Sequence, residues 1–407
     1  MVGTLNNKIG YMVPNIKSMK IGIDARFVGP QGTGLGKYTQ KLIENLARID
    51  KQNQYAIFLR KSNWDYLKLP SNFKKVKADI PWYSLAEQIK MPNIYNKENL
   101  DLLHVPHFNV PIIYKGKFVV TIHDLIHHQF SEYAATTKSP LVFKVKRFAY
   151  KKIISSAIKR SRKIIAPSNF VKGEIIKNFH VNPNKIVVTY EAAEEEYGEN
   201  PNSKIQTPNL LKRYKIKTPF IIYVGNAYPH KNLDVLLQAF KIIGNWKLER
   251  EALLRKIGNL KLVIVCSRDV FASRMQNKIK SLGLEDSVIM TGYIPAEDLS
   301  AIFKQASTYT FPSLVEGFGI PGLNAMAAGV PVAASNIETL KEIYSDAAIY
   351  FDPNDPGDIA NEIIKIVSDG KIRSSQIKKG REQIKKYSWK QMAQETLKVY
   401  EEIFRKL

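Results

Sequence analysis

Short apolar runs recur along the chain at intervals that leave room for a helix between them. The first is KIGIDARFV from Lys20; then come YAIFL (55–59), LDLLHV (100–105), FVVTIHD (118–124), KIIAPS (163–168) and KIVVTY (185–190). Helical patterns such as TQKLIENLARI lie between several of them. Near-continuous apolar runs alternating with helices predict buried strands of a mostly parallel sheet. The segment 191–218 (EAAEEEYGENPNSKIQTPNLLKRYKIKT) breaks the rhythm. It is polar, proline-containing and locally acidic, and is expected to be a linker. From Pro219 the rhythm restarts with FIIYVGN, a helix from Asn232 to Ile243, then KLVIVCS, SVIMTGY, TYTFPS, PVAAS and AAIYFDP. The chain from Asp358 onward reads as helices, the last being WKQMAQETLKVYEEIFRKL.

These patterns predict an α/β protein with an N-terminal domain over 20–190, the linker at 191–218, a C-terminal domain over 219–385 and a terminal helix within 386–407. A length of 407 residues suits two cores of about 150–200 residues each. Residues 1–19 lack the apolar core of a signal peptide and read as a flexible leader. No apolar run approaches the roughly 18 residues of a membrane-spanning helix. The single cysteine, Cys266, excludes an intrachain disulfide and a cysteine-built metal cluster, and fits a reducing compartment. A formal charge of +24 predicts attraction to something anionic, without choosing among nucleic acid, lipid surface and phosphorylated substrate.

The candidate chemistry sits just after strands, where open parallel sheets bind ligands. In FPSLVEGFGIPGLNAMAAGVPVAAS (311–335) a strand gives way to a glycine-rich turn and a helix of small residues. A helix N-terminus suits phosphate or sugar hydroxyls, and Gly317 and Gly319 let the backbone approach a ligand closely. Glu316, at the lip, suits hydrogen bonds from sugar hydroxyls or charge developing at an anomeric carbon. Three further strand-end stretches are YVGNAYPHKNLDVLLQAF (223–240), VVTIHDLIHH (119–128) and GTGLGKYT (32–39). The glycines at 32, 34 and 36 do not have the dinucleotide-binding spacing.

The block at 311–335 resembles the E-x7-E signature of retaining glycosyltransferase family 4, usually EGFGLPxLEAMA. Phe311, Pro312, Ser313 and Glu316 to Pro321 match, as do Ala325, Met326, Ala327, Gly329, Pro331 and Val332. The resemblance implies that Glu316 contacts the donor sugar and that the backbone of Gly317, Phe318, Gly319 and Ile320 touches sugar and phosphate. The second glutamate of the signature, which grips the ribose diol, is replaced by Asn324, which lacks a charge-assisted bidentate grip. The 223–240 stretch resembles GxxxPRKN. Lys231 then neutralises the leaving diphosphate, His230 stands where arginine is common, and Asn226 lies in the donor turn. His123 of the strand-end HD motif faces the reacting region, and Asp124 orients the loop or the imidazole. Gly34 and Leu35 bring the first domain's backbone toward the donor. PWYSLAEQIKMP (81–92) and LLHVPHFNVP (102–111) resemble acceptor-side segments of bacterial members, making Trp82, Glu87, His104, His107 and Asn109 acceptor candidates.

The resemblance further implies the GT-B architecture: two Rossmann-like domains with parallel sheets facing a central cleft. The donor site lies mostly in the second domain, the acceptor site mostly in the first, and the terminal helix crosses back to the first. It implies a retaining transfer of a hexose from a nucleotide-diphosphate sugar, with GDP-mannose favoured, to a glycan or lipid-linked acceptor in cell-surface polysaccharide synthesis. No cofactor is expected beyond that co-substrate. No metal is expected either: the His, Asp and Glu positions lack ligand spacing and no D-x-D follows a strand. Two alternatives stay open. A GT-B-fold epimerase or hydrolase would turn over donor without acceptor product; a non-catalytic sugar-nucleotide-binding protein, suggested by Asn324, would bind without turnover.

Between Glu132 and Glu174 the chain has no acidic residue but many lysines and arginines, from Lys138 through Lys163 to Lys172. LVFKVKRFAYKKIISSAIKRSRK reads as a basic amphipathic helix with Val142, Val145, Ala149, Ile153 and Ala157 on its seam. Such a helix predicts contact with an anionic membrane over 138–163, each basic residue contributing ~1 kcal/mol. The expected location is cytoplasmic, peripheral on the inner face of the membrane. Nucleic acid is not expected as a partner, since no helix-turn-helix, zinc-finger or RNA-binding aromatic signature occurs.

Overall fold

The computed structural model describes residues 18–29, 32–129, 140–198, 207–249, 251, 257–266 and 270–405. In chain order the first half supplies strands β1 (Lys20–Asp24), β2 (Gln54–Leu59), β3 (Phe73–Lys77), β4 (Leu102–Val105), β5 (Phe118–Thr121), β6 (Lys163–Ala166) and β7 (Ile186–Val188). The second supplies β8 (Phe220–Val224), β9 (Lys261–Val265), β10 (Val288–Met290), β11 (Thr308–Phe311), β12 (Val332–Ser335) and β13 (Ala348–Phe351). They form a seven-stranded sheet, β3-β2-β1-β4-β5-β6-β7, and a six-stranded one, β10-β9-β8-β11-β12-β13. Every neighbouring pair is parallel. The central strands are buried along nearly their whole length because helices cover both faces, which is why they read as continuous apolar runs.

Strand order reverses between β1 and β4 in the first sheet and between β8 and β11 in the second. The loops leaving those strands open the crevice where α/β sheets bind ligands. Strand β3 was not among the apolar runs of the sequence. Its FKKVK text is lysine-rich because it forms the edge of the sheet, where lysines discourage pairing with another chain.

The helices that bear on the site are α1 (Thr33–Ile49), α2 (Leu85–Asn96), α3 (Pro140–Arg160), α4 (Asn169–Phe179), α5 (Leu233–Glu249), α6 (Ile320–Ala327), α7 (Glu338–Tyr344) and α8 (Trp389–Arg405). Helix α8 follows the second sheet in sequence yet packs on the first half. Its Met392, Ala393, Val399 and Tyr400 are buried in one cluster with Leu42 and Leu46 of α1 and Ile21 and Ile23 of β1. The halves are also joined by Glu342 of α7. Its carboxylate accepts the free N–H groups of Asn169 (2.7 Å) and Phe170 (2.9 Å) at the start of α4, and the Tyr190 hydroxyl (3.1 Å). An anion at a helix N-terminus is held by both the free donors and the helix dipole.

Three sequence expectations need correction or limits. Of the leader, residues 1–17 lie outside the described residues, but Met19 is buried and its N–H donates to Asn53 Oδ1 at 2.9 Å. Residues 199–206 of the expected linker also lie outside them. Its first part, 191–198, is anchored to both halves and forms a strap. The Trp389 indole donates to Ala193 O, Ser300 Oγ to Glu196 O and Lys304 Nζ to Gly198 O. Finally, the buried seam of α3 is Ile154, Ala157 and Ile158, with Val145 and Ala149 exposed. The described buried face is therefore turned from the expected seam; Lys138 and the Val142 side chain lie outside the described residues.

Candidate active site

The loop after β11 and the loop after β8 meet at one ion pair. Glu316 Oε1 and Lys231 Nζ are 2.6 Å apart, and both side chains are largely buried. Lys231 closes a one-turn helix, Pro229–Lys231, whose following residue, Asn232, adopts φ 60°, a conformation asparagine tolerates. Asn232 Nδ2 is bound to Pro353 O at 2.7 Å, which fixes that corner. Glu316 is fixed through its carbonyl, which accepts Thr339 Oγ1 of α7 at 2.9 Å. The two loops are stitched by Leu314 N–H donating to His230 O at 2.9 Å, so His230 contributes its backbone here.

Gly317 and Gly319 have separate reasons to be glycine. A Cβ on Gly317 would lie 2.0 Å from His123 O, so the turn after Glu316 presses directly on the strand-end loop of the other half. Ser168 Oγ donates to Gly317 O at 2.8 Å and holds the turn from the same side. Gly319 has φ 108°, and its carbonyl accepts Tyr344 OH at 2.5 Å. Helix α6 then starts at Ile320 with no side-chain cap; Pro321 carries no N–H and the Gly322 N–H donates to Gly319 O at 3.2 Å, so this helix end faces the site with its dipole and the Ile320 N–H. The Phe318 side chain is buried in the core near Tyr387, so only its backbone is available to a donor. Asn226 Oδ1 and Ser313 Oγ, at the strand ends, are buried and have no hydrogen-bond partner within the protein.

His123 enters from the first half beside this turn. Its Nδ1 faces Glu191 Oε1 at 3.1 Å, its Nε2 faces Pro106 O at 3.1 Å, and its ring meets the edge of Tyr38 at 4.5 Å. The imidazole is thus oriented by Glu191, a residue the sequence reading left inside the linker; the acidic run EAAEEE was its only signal. Asp124 instead accepts the Ile126 N–H at 2.9 Å and shapes the loop.

Gly34 and Leu35 lie in the first turn of α1, which also lacks a side-chain cap, and Gly34 opens onto free space. Gly32 and Gly36 face the Phe27 carbonyl so closely that any Cβ would collide with it, at 1.8 and 2.4 Å. These two glycines serve packing.

The acceptor candidates separate into two groups. Trp82 stacks on Phe27 at 4.5 Å with the Arg60 guanidinium 5.0 Å from its ring, and His107 meets Phe27, Tyr83 and Phe108. Together they make a half-open aromatic shelf. Glu87, His104 and Asn109 are instead inside the protein and do not reach an acceptor. Glu87 and Asp24 clamp the fully buried Arg26, each at 2.6 Å, and Asn109 donates to Glu87 at 2.6 Å. Burial raises the Glu87 pKa against the opposing Arg26. Burial also works against the Asp24 carboxylate, but Arg26 prevails and holds its pKa below the usual range. His104 is sealed between Tyr400 OH (2.5 Å) and Thr121 Oγ1 (2.8 Å), and burial pulls its pKa to about 3. The role of these three is to support the shelf and to lock α8 onto the first sheet.

Two parallel sheets, each with a strand-end site at its switch point and joined by a returning C-terminal helix, define a GT-B-type fold. Sequence comparison agrees: residues 32–196 match the profile of "Glycosyltransferase Family 4", and residues 208–383 match "Glycosyl transferases group 1". The chain belongs to this glycosyltransferase family and is a glycosyltransferase enzyme. Over 384 residues it is 27% identical to O-antigen chain mannosyltransferase B of Escherichia coli, covering 90% of this chain and 96% of that one. It is 25% identical over 341 residues to O-antigen chain mannosyltransferase RfbU of Salmonella typhimurium, with 81% and 85% covered. Its fold matches sucrose-phosphate synthase from Thermosynechococcus elongatus with a TM-score of 0.75, at 18% identity over 96% of this chain and all of that chain.

Proposed function

We propose that this enzyme transfers mannose from GDP-mannose, with retention at the anomeric carbon, to a lipid-linked glycan at the cytoplasmic face of an anionic membrane. The observation that carries the reading is the Lys231–Glu316 pair, set beside the N-terminus of α6, which has no side-chain cap, and against His123. A diphosphate entering this corner competes with Glu316 for the Lys231 ammonium. The ammonium then neutralises charge on the departing diphosphate, and Glu316 is released to accept a sugar hydroxyl. The bond from C1 to the diphosphate oxygen breaks, the acceptor oxygen bonds to C1 on the same face, and the acceptor proton passes to the departing phosphate. The half-open shelf of Trp82 and His107 offers the incoming sugar aromatic and hydrogen-bonding edges. Mannose as the transferred sugar is supported by the two mannosyltransferase relatives.

The lipid-linked acceptor is supported by the outer surface beside this shelf. Tyr83, Leu85 and Ile89 at the start of α2, Ile112 and Ile113 in the loop after β4, and Val145 and Phe148 on α3 are all exposed. The Ile112 N–H donates to Gln88 Oε1, and the Arg160 guanidinium donates to Ile112 O and Tyr114 O. These bonds unite α2, the loop and α3 into one surface. Exposed Lys90, Lys115, Lys144, Lys146 and Lys151 border it, the charge complement of an anionic bilayer. No helix among the described residues is long and apolar enough to cross a membrane.

A thermal-shift series against GDP-, UDP-, ADP- and dTDP-sugars tests the donor. GDP-mannose is expected to raise the melting temperature most; a larger shift with another base overturns the GDP assignment.

A further inference from the structure

Residue 324 lies one turn inside α6, with its side chain buried. Its amide is committed to a single residue of the strap: Oδ1 accepts the Glu194 N–H at 2.8 Å, and Nδ2 stands 3.5 Å from Glu194 Oε1. The other carboxylate oxygen of Glu194 receives Lys37 Nζ of α1 at 2.6 Å. Burial works against the Lys37 ammonium, but Glu194 and then Glu196 outweigh it and raise its pKa above the ordinary lysine value. A carboxylate is therefore present at this point of the cleft, delivered by the strap and aimed from both halves of the molecule. The arrangement also accounts for asparagine at 324. An amide both accepts the Glu194 N–H and turns a donor toward its carboxylate, whereas a glutamate there would set two like charges within hydrogen-bond reach.

A ligand whose phosphates rest on the N-terminus of α6 carries its nucleoside onward from that point, and a carboxylate is the usual acceptor for ribose hydroxyls in Rossmann-type sites. The contact from Asn324 Nδ2 is long, which leaves Glu194 Oε1 with capacity to accept from a hydroxyl. We propose that Glu194 is the carboxylate that binds the ribose hydroxyls of the donor nucleotide in this enzyme, with Asn324 and Lys37 as its positioning residues. The inference rests on the nucleotide-sugar reading above.

Titration calorimetry with GDP and 2′,3′-dideoxy-GDP tests it. Wild type binds GDP about tenfold or more tightly than the dideoxy nucleotide, since hydrogen bonds to a charged group are worth about 1.5–3 kcal/mol. Glu194→Gln keeps the shape of the side chain but turns an NH2 toward one of its two donors, Lys37 or Asn324; it binds both nucleotides alike, at the weaker level. Asn324→Glu weakens GDP binding, and the double variant Glu194→Gln/Asn324→Glu regains preference for GDP because the carboxylate has moved across the same contact. Full ribose preference in a folded Glu194→Gln overturns the assignment alone. Absence of GDP binding by wild type overturns the nucleotide reading together with it.

Discussion

At the scale of single residues, the site separates groups that face the cleft from groups of the same type that hold the frame. His123 and His104 lie on adjacent strand ends, yet one borders the Gly317 turn and the other is enclosed by Tyr400 and Thr121. Enclosure has a measurable consequence. His104 binds a proton near 6.5 when the chain is unfolded and near 3 when folded, so between those values the unfolded state holds more protons. Its contribution to stability is complete above pH 6.5 and is lost as pH falls toward 3, with a slope of at most ~1.4 kcal/mol per pH unit. His104→Gln is expected to flatten the fall in melting temperature between pH 6.5 and 5. An unchanged pH profile in the variant would count against a sealed, neutral imidazole. The family resemblance had grouped His104, Glu87 and Asn109 with Trp82 and His107, because likeness of a segment does not reveal which side chains turn inward.

At the scale of elements, most strands were legible in the sequence, and the connections were not. Buried parallel strands announce themselves as apolar runs, whereas β3 carries three lysines in five residues and hides its strand character. The strap at 191–198 misled for the opposite reason. Its polarity reads as solvent exposure, but two of its carboxylates, Glu191 and Glu194, face His123 and Lys37. The E-x7-E block located Glu316 and the turn after it, while the partners that hold them, Thr339 and Ser168, and the carboxylates Glu191 and Glu194 that face His123 and Asn324, come from distant elements with no motif of their own. The Gly317 turn is where both halves meet, so it tolerates no side chain. Gly317→Ala is expected to lower stability by about 1–3 kcal/mol and to lower activity, read by thermal melting and donor turnover. Gly34→Ala, whose added methyl group meets nothing within 4 Å, is expected to melt like wild type. Equal melting of the Gly317 variant and wild type would contradict the close approach to His123.

At the scale of the whole molecule, the two halves are held by Glu342, by the strap and by α8, and among the described residues most of the exposed large apolar side chains lie on the first half, with Tyr228, Val270 and Tyr293 on the second. On the function proposed above, that asymmetry predicts that the first half seats on the membrane and the second stays in water. Flotation with phosphatidylglycerol vesicles is expected to carry the protein at low salt and to release much of it at high salt, as basic residues are screened. Replacing Leu85, Ile113 and Phe148 together by serine is expected to abolish flotation with the fold intact; retained flotation would move the contact elsewhere. The most direct test of the central claim is transfer itself. Wild type and Glu316→Gln are given radiolabelled GDP-mannose and a bacterial lipid extract as acceptor source, and label in the lipid fraction is followed with time. The account predicts mannosyl-lipid product with wild type and a rate lower by about 100-fold or more in Glu316→Gln, with GDP still bound by the variant. Equal rates in the two proteins would contradict it.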